Sequence, residues 1–273
     1  MKKFFLVLTV ALLVAVGTLG ACTIFAVGKG ATVDGSTMST HSCDSTSDDL
    51  RVWLIPSMPA GTERDVVLDG RAGADYSQFP AVKDYGKNGM VLDTYTTERD
   101  TNRYIHAMYS FMNDKGLAMG ESTCVYDWSA EKSKPVREWM SKSEGIWDCY
   151  MLQDAVLENC STAREAIAFM AEKIENDGWN GFCECINLTD GNETWVFEVY
   201  GGTAWVAMRV PDDCVFVAAN RARIDYLIEN DPDNCQYNPN IKQIAIENGL
   251  WNGEGEFRPC QVFAAGNYSF NCI

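Results

Sequence analysis

Histidine is scarce in this sequence, and basic residues are outnumbered by acidic ones. Only His41 and His106 occur among 273 residues, which excludes a zinc-binding helix of the form H-E-x-x-H. Lysine and arginine total 22 against 38 acidic residues, so the formal net charge is -16. Phosphate binding needs clustered basic side chains, so no nucleic-acid partner is expected. The G-x-G-x-x-G and Walker A sequences are absent, so no nucleotide cofactor is expected.

Residues 1–21 have the pattern of a cleavable export signal. Two lysines precede an apolar run over 4–16, and small residues follow up to Ala21. The run is too short to span a bilayer comfortably and has the length of the hydrophobic region of a signal peptide. Cleavage after Ala21 makes Cys22 the first residue of an exported protein, which is secreted, periplasmic or on the cell surface. An N-terminal membrane anchor that stays attached is the alternative.

The sequence holds eleven cysteines. Paired cysteines of exported proteins tend to form disulfides, although their connectivity cannot be read from sequence. Setting Cys22 aside leaves an even number of candidates: Cys43, Cys124, Cys149, Cys160, Cys183, Cys185, Cys214, Cys235, Cys260 and Cys272. A structural zinc site at Cys183 and Cys185 is not supported, because one intervening residue is shorter than the usual ligand spacing. No metal site is predicted.

Hydrophobic patterning predicts a mixed α and β fold. The run Cys22–Val27 is rich in β-forming residues and predicts a strand at the mature N terminus. Thr162 and Glu165 form a capping box ahead of apolar residues at helical spacing, which predicts a helix over 162–176.

Two β-rich runs lie on either side of Gly201 and Gly202 and predict a hairpin. Residues 56–103 are polar and glycine-rich, so they are expected to be dominated by loops. Antiparallel hairpins in place of a regular βαβ alternation favour the α+β class.

Two hypotheses account for a cysteine at position 22. Leu19-Gly20-Ala21-Cys22 resembles a lipobox, in which the cysteine is acylated and anchors a non-catalytic binding protein to the membrane. A lipoprotein usually continues with a flexible polar tether, whereas here the predicted strand follows at once. Membrane association is expected only in this lipidated case.

The second hypothesis is an N-terminal nucleophile. An N-terminal cysteine carries a thiol with a pKa of roughly 8.5 and an α-amine with a pKa of roughly 7.7–8.0. The amine can take the thiol proton near neutral pH, so this chemistry needs no histidine. The thiolate then attacks a carbonyl, an acyl-enzyme forms, and water releases the acid. A preceding peptide bond abolishes the basic amine, so activity requires cleavage before Cys22.

Four segments carry a family resemblance by their order and spacing: CTIFAVGKGATVDGSTM at 22–38, MNDKGLAMGESTC at 112–124, TWVFEVYGGTAWVAMRVPDD at 194–213 and VAANRARI at 217–224. They resemble segments of the dipeptidases among the N-terminal-nucleophile cysteine hydrolases, the group of the secernins and bacterial broad-specificity dipeptidases. The resemblance covers most of 22–270.

This resemblance implies a four-layer αββα sandwich, two stacked antiparallel sheets between helix layers, over one domain at 22–273. It implies Cys22 as nucleophile and its own α-amine as general base. Asp44 matches an acidic residue that would orient the amine, with a turn aspartate as the alternative. Asn220 matches an asparagine whose amide would donate to the oxyanion, with a turn residue as the alternative.

The resemblance also implies a substrate pocket at Glu121, Ser122 and Thr123. Arg223 is a candidate for pairing with a substrate carboxylate, with a surface salt bridge as the alternative. Many members carry arginine where His41 stands, and His41 can replace that charge only when it is protonated.

The sequence therefore predicts an exported cysteine dipeptidase that hydrolyses small peptide bonds through an acyl-enzyme. A non-peptide amide hydrolase of the acylase type and the lipid-anchored, non-catalytic protein are the alternatives. Small peptides are the expected partners, and a homo-oligomer is left open. Members of the group are usually considerably longer, so the C-terminal part of the fold is expected to be missing.

Overall fold

The β-forming runs of the sequence build two sheets and a separate hairpin. The computed structural model describes residues 22–44, 52–68, 90–124, 130–142, 145–266 and 270, so the predicted signal peptide lies outside it. The strands of the described residues are β1 (Cys22–Val27), β2 (Met38–Cys43), β3 (Trp53–Ile55), β4 (Glu63–Leu68), β5 (Met90–Thr96), β6 (Tyr104–His106), β7 (Met112–Asn113), β8 (Ala118–Thr123), β9 (Glu184–Thr189), β10 (Thr194–Gly201), β11 (Ala204–Val210), β12 (Val215–Ala218) and β13 (Cys235–Tyr237).

The helices of the described residues are short and amphipathic or buried. They are α1 (Lys134–Met140), α2 (Cys149–Asn159), α3 (Ala163–Asp177), α4 (Ile241–Glu247) and α5 (Pro259–Ala264). None of these combines the length and the apolar character that a membrane crossing requires.

Most strands join one antiparallel sheet of eight, in the order β13-β11-β10-β9-β8-β7-β6-β3. The hairpin of β10 and β11 lies next to the edge strand β13 and confirms the hairpin prediction. Its turn holds Gly201 and Gly202 at φ 146° and 53°, values that glycine adopts at little cost. A second sheet has the order β12-β1-β2, and β4 pairs with β5.

Strand β10 is buried on both faces, so its side chains belong to two cores. Trp195 and Phe197 pack in one cluster with residues of α2 and α3. The alternate residues Val196 and Tyr200 pack in another, with Ile24 of β1 and residues of α5. The eight-stranded sheet therefore lies between helices and the three-stranded sheet. The α+β class with stacked antiparallel sheets is confirmed, and the complete αββα sandwich is plausible in this arrangement.

Helix α3 begins where the capping box predicts it. The Glu165 backbone N–H donates to Thr162 Oγ1 at 3.2 Å, and Glu165 Oε2 accepts from the Ser161 backbone N–H at 2.7 Å. Gly178 ends the helix at φ 77°. The predicted helix over 162–176 is thus confirmed to within one residue at each end.

Strand β1 turns one face toward the large sheet. Ile24 and Ala26 are fully buried, whereas Phe25 between them is 40% exposed. Side chains alternate along a strand, so Cys22 lies on the inward side with Ile24 and Ala26. The strand prediction is confirmed, and it aims the candidate nucleophile at the space between the sheets.

The expectation of loops over 56–103 is wrong for β4 and β5, which form an antiparallel hairpin. Glu158 of α2 holds both strands: Arg64 Nη2 donates to its Oε1 at 2.5 Å, and the Tyr95 hydroxyl donates to its Oε2 at 2.7 Å. Burial raises the pKa of Glu158, and the charge of Arg64 opposes that shift. Charged residues open β4, so the alternating apolar pattern of a half-buried strand is missing there.

Candidate active site

The backbone of Cys22 is held on both sides by side chains from distant parts of the chain. Its N–H donates to Asn220 Oδ1 at 2.7 Å, and its carbonyl oxygen accepts from Ser122 Oγ at 3.2 Å. The residue is half-buried. Position 22 is therefore fixed relative to the end of β8 and the segment after β12.

The thiol of Cys22 shares its surroundings with His41 of β2 and Glu121 of β8. One sulfur, one imidazole nitrogen and one carboxylate oxygen all lie within 4.8 Å of one another. His41 Nε2 and Glu121 Oε1 are 3.3 Å apart, and their side chains are 11% and 0% exposed. These two atoms are not aligned for a hydrogen bond and have no other hydrogen-bond partner within the described part of the chain.

The electrostatics of this cluster favour a charged histidine. Burial by itself lowers the pKa of His41, but the contacts with Cys22 and Glu121 outweigh burial and raise that pKa to about 9. The hydrogen bond of the Cys22 thiol with Cys43, together with burial, raises the pKa of this thiol, against the opposing effect of His41. While its nitrogen is in a peptide bond, Cys22 stays protonated at neutral pH, so a base must remove the proton before the sulfur can attack.

A second buried carboxyl group, Glu184 of β9, lies beside Glu121. Burial, followed by the charge of Glu121, raises the pKa of Glu184 well above its ordinary value, and the two side chains are hydrogen-bonded. The Glu184 carboxyl therefore keeps its proton at neutral pH. Sequence patterns did not single out Glu184, because an acidic residue in a buried strand has no local signature.

Asn220 connects Cys22 to the predicted pocket residues. Its backbone has the left-handed conformation, with φ 51°. Its Nδ2 donates to the Thr123 carbonyl at 2.7 Å, and its backbone N–H donates to Ser122 Oγ at 2.6 Å. The structure therefore brings Cys22, Ser122, Thr123 and Asn220 together, although these residues are far apart in sequence.

Two predicted site residues have other surroundings. Asp44 is exposed, just beyond the end of β2. Arg223 Nη1 donates to the Val217 carbonyl at 2.6 Å, and its guanidinium lies 5.7 Å from the centre of the Phe216 ring. The roles of Asp44 in orienting the amine and of Arg223 in binding a carboxylate stay predictions.

The imidazole of His41 is packed by residues that sequence patterns did not identify. Tyr109 approaches it edge-on, with ring centroids 5.1 Å apart, and stacks on Tyr150 at 4.7 Å. A Cβ at Gly120 would lie 3.0 Å from His41 Cβ and 2.9 Å from Asn187 Oδ1. His41 therefore packs against bare backbone on one side and an aromatic ring on another, and only the fold brings these elements together.

All ten cysteines in the described part of the chain are present as thiols. Cys272 lies outside that part, and the predicted disulfides stay predictions. Two pairs are placed directly across antiparallel strands. Cys22 is opposite Cys43 in the pairing of β1 with β2, and the Cys124 backbone N–H donates to the Cys183 carbonyl at 2.7 Å just beyond β8 and β9.

The stacked antiparallel sheets thus carry a cysteine at the first position of a strand, beside a buried imidazole and a carboxylate. The model of Peptidase family C69 matches residues 21–271, and the chain belongs to this family. The resemblance drawn from the four sequence segments is thereby confirmed.

Curated relatives carry dipeptidase names. The chain is 29% identical over 257 residues to a "Probable dipeptidase" of Latilactobacillus sakei, covering 90% of this chain and 49% of that protein. It is 25% identical to a "Probable dipeptidase" of Salmonella dublin, covering 98% of this chain and 58% of that protein. A "Probable dipeptidase B" of Lactococcus lactis is 34% identical, with 85% and 45% covered. The chain thus spans about half the length of the curated relatives it matches.

Proposed function

We propose that this protein is an exported cysteine dipeptidase whose nucleophile is Cys22 and whose general base is the α-amine of the same residue. The observation that carries the proposal is the hydrogen bond of 2.7 Å from Cys22 N to Asn220 Oδ1. An acceptor at that position orients the nitrogen both as a peptide and, after cleavage, as an amine. Membership of Peptidase family C69 and the dipeptidase names of the relatives support the same activity.

The proposed reaction starts when signal-peptide cleavage after Ala21 gives Cys22 a basic amine. The amine takes the thiol proton, and the sulfur attacks the carbonyl carbon of the substrate. The C–N bond breaks, the leaving amine receives the proton, and an acyl-enzyme remains. A water molecule then gives a proton to the Cys22 amine and its oxygen to the acyl group, which releases the acid and restores the thiol.

Asn220 and His41 are proposed to stabilise the negative charges that develop in this reaction. The Asn220 amide nitrogen has two N–H groups, and Thr123 accepts one of them, so the other is proposed to donate to the oxyanion. Protonated His41 stabilises the thiolate of Cys22 before attack. Glu121 balances the positive charge of the imidazolium. Burial of Glu121 and Glu184 shields this ion pair from water.

The test combines the chemical state of the N terminus with one substitution. N-terminal sequencing and intact mass of the exported protein are expected to show Cys22 as an unmodified first residue. Cys22→Ser is expected to reduce dipeptide hydrolysis at least about 1,000-fold, because the hydroxyl is a weaker nucleophile at its ordinary pKa. Cys160→Ser is the matched control: Cys160 is buried at the end of α2, so stability falls while turnover is retained.

Other outcomes separate the alternatives. A diacylglyceryl adduct on Cys22 supports the lipid-anchored protein, and an uncleaved Met1 contradicts both hypotheses. Hydrolysis that persists in Cys22→Ser shows that the proposed mechanism is wrong. Turnover of amides that are not peptides, with dipeptides left intact, supports the acylase type.

A further inference from the structure

The most informative atoms of the site are two that lack hydrogen bonds. His41 Nε2 and Glu121 Oε1 are both buried, face each other at 3.3 Å and have no aligned partner within the described residues. The two atoms lie at ion-pair distance but form no aligned hydrogen bond. Buried polar atoms without a hydrogen-bond partner call for an explanation, and one explanation is an ion that binds between them.

We propose that Cys22, His41 and Glu121 form a binding site for a borderline-soft divalent cation, Zn²⁺, which occupies the site in place of substrate. The three donor atoms all lie within 4.8 Å of one another. The binding itself follows from this geometry alone. Its consequence, reversible inhibition, rests on the proposed function of Cys22.

The distances fit tetrahedral zinc. With Zn–N and Zn–O bonds of about 2.0–2.2 Å, a tetrahedral ion holds its nitrogen and oxygen ligands about 3.4 Å apart, and His41 Nε2 and Glu121 Oε1 are 3.3 Å apart. With a Zn–S bond of about 2.3 Å, the sulfur belongs about 3.6 Å from each of them. The sulfur lies within 4.8 Å of a ring nitrogen of His41 and a carboxylate oxygen of Glu121, so binding requires it to approach them by at most about 1.2 Å.

The chemical types of the three ligand atoms favour zinc over Mg²⁺ and Ca²⁺. Thiolate and imidazole favour zinc and other soft or borderline ions, whereas Mg²⁺ and Ca²⁺ prefer all-oxygen sites. Thiolate and carboxylate together neutralise a divalent ion, which removes the cost of a buried net charge. The Glu184 carboxyl, hydrogen-bonded to Glu121, orients the carboxylate in the way that outer partners of metal ligands do.

Processing of the N terminus adds a fourth donor. Once the peptide bond before Cys22 is cut, its α-amine and thiolate can bind one ion as a five-membered chelate. The nitrogen already lies 2.7 Å from Asn220 Oδ1, which keeps it on one side of the site. Binding replaces the S–H bond with a Zn–S bond, and the thiol proton, with any proton on His41 Nε2 and the amine, passes to the solvent.

The test measures the metal directly on the purified chain, reduced and starting at Cys22. Titration with Zn²⁺ by calorimetry is expected to give one equivalent bound, and Co²⁺ is expected to show the near-ultraviolet sulfur-to-cobalt charge-transfer band of a thiolate ligand. His41→Arg replaces the imidazole with a cation and is expected to weaken Zn²⁺ binding at least about 100-fold. The intact chain from Met1, which lacks the amine donor, is expected to bind more weakly than the processed chain.

The second histidine supplies a matched control. His106 Nδ1 lies 3.1 Å from Asp154 Oδ1, and its side chain is 11% exposed, the same fraction as that of His41. His106→Asn is expected to keep the affinity for Zn²⁺ and the cobalt band. Circular dichroism of both histidine variants checks that each remains folded.

The results separate this inference from the proposed function. Unchanged Zn²⁺ affinity in folded His41→Arg, or a cobalt adduct without the sulfur band, overturns the metal site whatever the activity of the chain. Zinc that binds with the expected ligands to a chain without peptidase activity leaves the metal site standing and contradicts the function. Inhibition of dipeptide hydrolysis at the concentrations that fill the site supports both.

Discussion

Asn220 is one of two residues whose side chains hold the backbone of Cys22, together with Ser122. It accepts from Cys22 through Oδ1 and donates to Thr123 through Nδ2, while its backbone is left-handed at φ 51°. Asparagine tolerates this conformation better than most residues because its short polar side chain bonds locally. The left-handed backbone and the side-chain hydrogen bonds thus both favour asparagine at position 220.

Substitution of Asn220 separates these two roles. Asn220→Gly accepts the left-handed backbone but removes the amide, so kcat/KM for dipeptides is expected to fall about 100-fold to 1,000-fold. Asn220→Ala is expected to show the same loss of kcat/KM and to be about 1 kcal/mol less stable than the glycine variant, because of its Cβ. Steady-state kinetics and urea denaturation measure the two effects. Wild-type kcat/KM in Asn220→Gly would show that the amide is not needed.

At the scale of elements, buried carboxyl groups tie strands to their neighbours. Glu158 of α2 holds the hairpin of β4 and β5 through Arg64 and Tyr95. Glu198 of β10 accepts from the backbone N–H groups of Arg223 and Ile224 and from the Tyr200 hydroxyl. In both places a buried carboxyl group joins segments that no strand pairing connects.

Glu198 is expected to make stability depend on pH. Burial raises its pKa from 4.5 to about 7, although hydrogen bonds from Arg223, Tyr200, Ile224 and Cys185 oppose that shift. Between these values the folded state keeps a proton that the unfolded state has lost. The stability linked to this group is therefore present below pH 4.5 and lost as the pH rises through 7, by about 3 kcal/mol in all.

Glu198→Gln is expected to remove this part of the pH dependence. Urea denaturation at pH 5 and pH 7.5 measures it as the change in stability between the two conditions, compared with wild type. Glu247→Gln, at the exposed end of α4, is the control and is expected to follow the wild-type curve. If the stability of Glu198→Gln changed with pH as much as that of wild type, the pH dependence could not come from Glu198.

The ion pair of Arg64 and Glu158 gives a second prediction for an element. Removing one partner leaves a buried charge unpaired, so Arg64→Met is expected to cost about 3–5 kcal/mol. The double variant Arg64→Met with Glu158→Leu replaces both charges with apolar groups and is expected to recover most of that loss. Chemical denaturation of the three proteins gives the comparison. A double variant as unstable as Arg64→Met would show that the loss does not come from an unpaired charge on Glu158. The loss would then come from the missing attraction between the two side chains.

For the whole molecule, the question is what holds the two sheets together. Asn187 of β9 is fully buried and donates through Nδ2 to the Phe25 carbonyl at 2.8 Å, while its Oδ1 accepts from Ser39 at 3.0 Å. One side chain of the large sheet thus contacts both strands that carry Cys22 and His41. It also lies where a Cβ at Gly120 would clash.

Asn187→Ala is expected to lower the free energy of unfolding by about 2–4 kcal/mol, because the Phe25 carbonyl and the Ser39 hydroxyl lose their buried partner. Asn192→Ala, in the exposed turn between β9 and β10, is expected to stay within about 0.5 kcal/mol of wild type. Thermal unfolding followed by tryptophan fluorescence measures both variants. Equal stability of the two would contradict the role of Asn187 in joining the sheets.

Much of the fold was predictable where local signals were strong. The strand at 22–27, the capped helix α3 and the hairpin around Gly201 and Gly202 each rest on residues adjacent in sequence. The hairpin of β4 and β5 was missed because its strands depend on a buried carboxylate of a helix far along the chain. The predicted signal peptide and Cys272 lie outside the described residues and stay predictions.

The sequence by itself determined which residue types could do chemistry: a cysteine directly after a predicted export signal, few histidines, and four segments that identify the family. Only the tertiary structure decided that His41 and Glu121 meet at Cys22, that Glu184 supports Glu121, and that Asn220 holds the nitrogen of Cys22. The physical reason is that strand pairing and sheet stacking set these contacts. Residues separated by about 20 to 200 positions are brought together by backbone hydrogen bonds and burial, neither of which leaves a local pattern in the sequence.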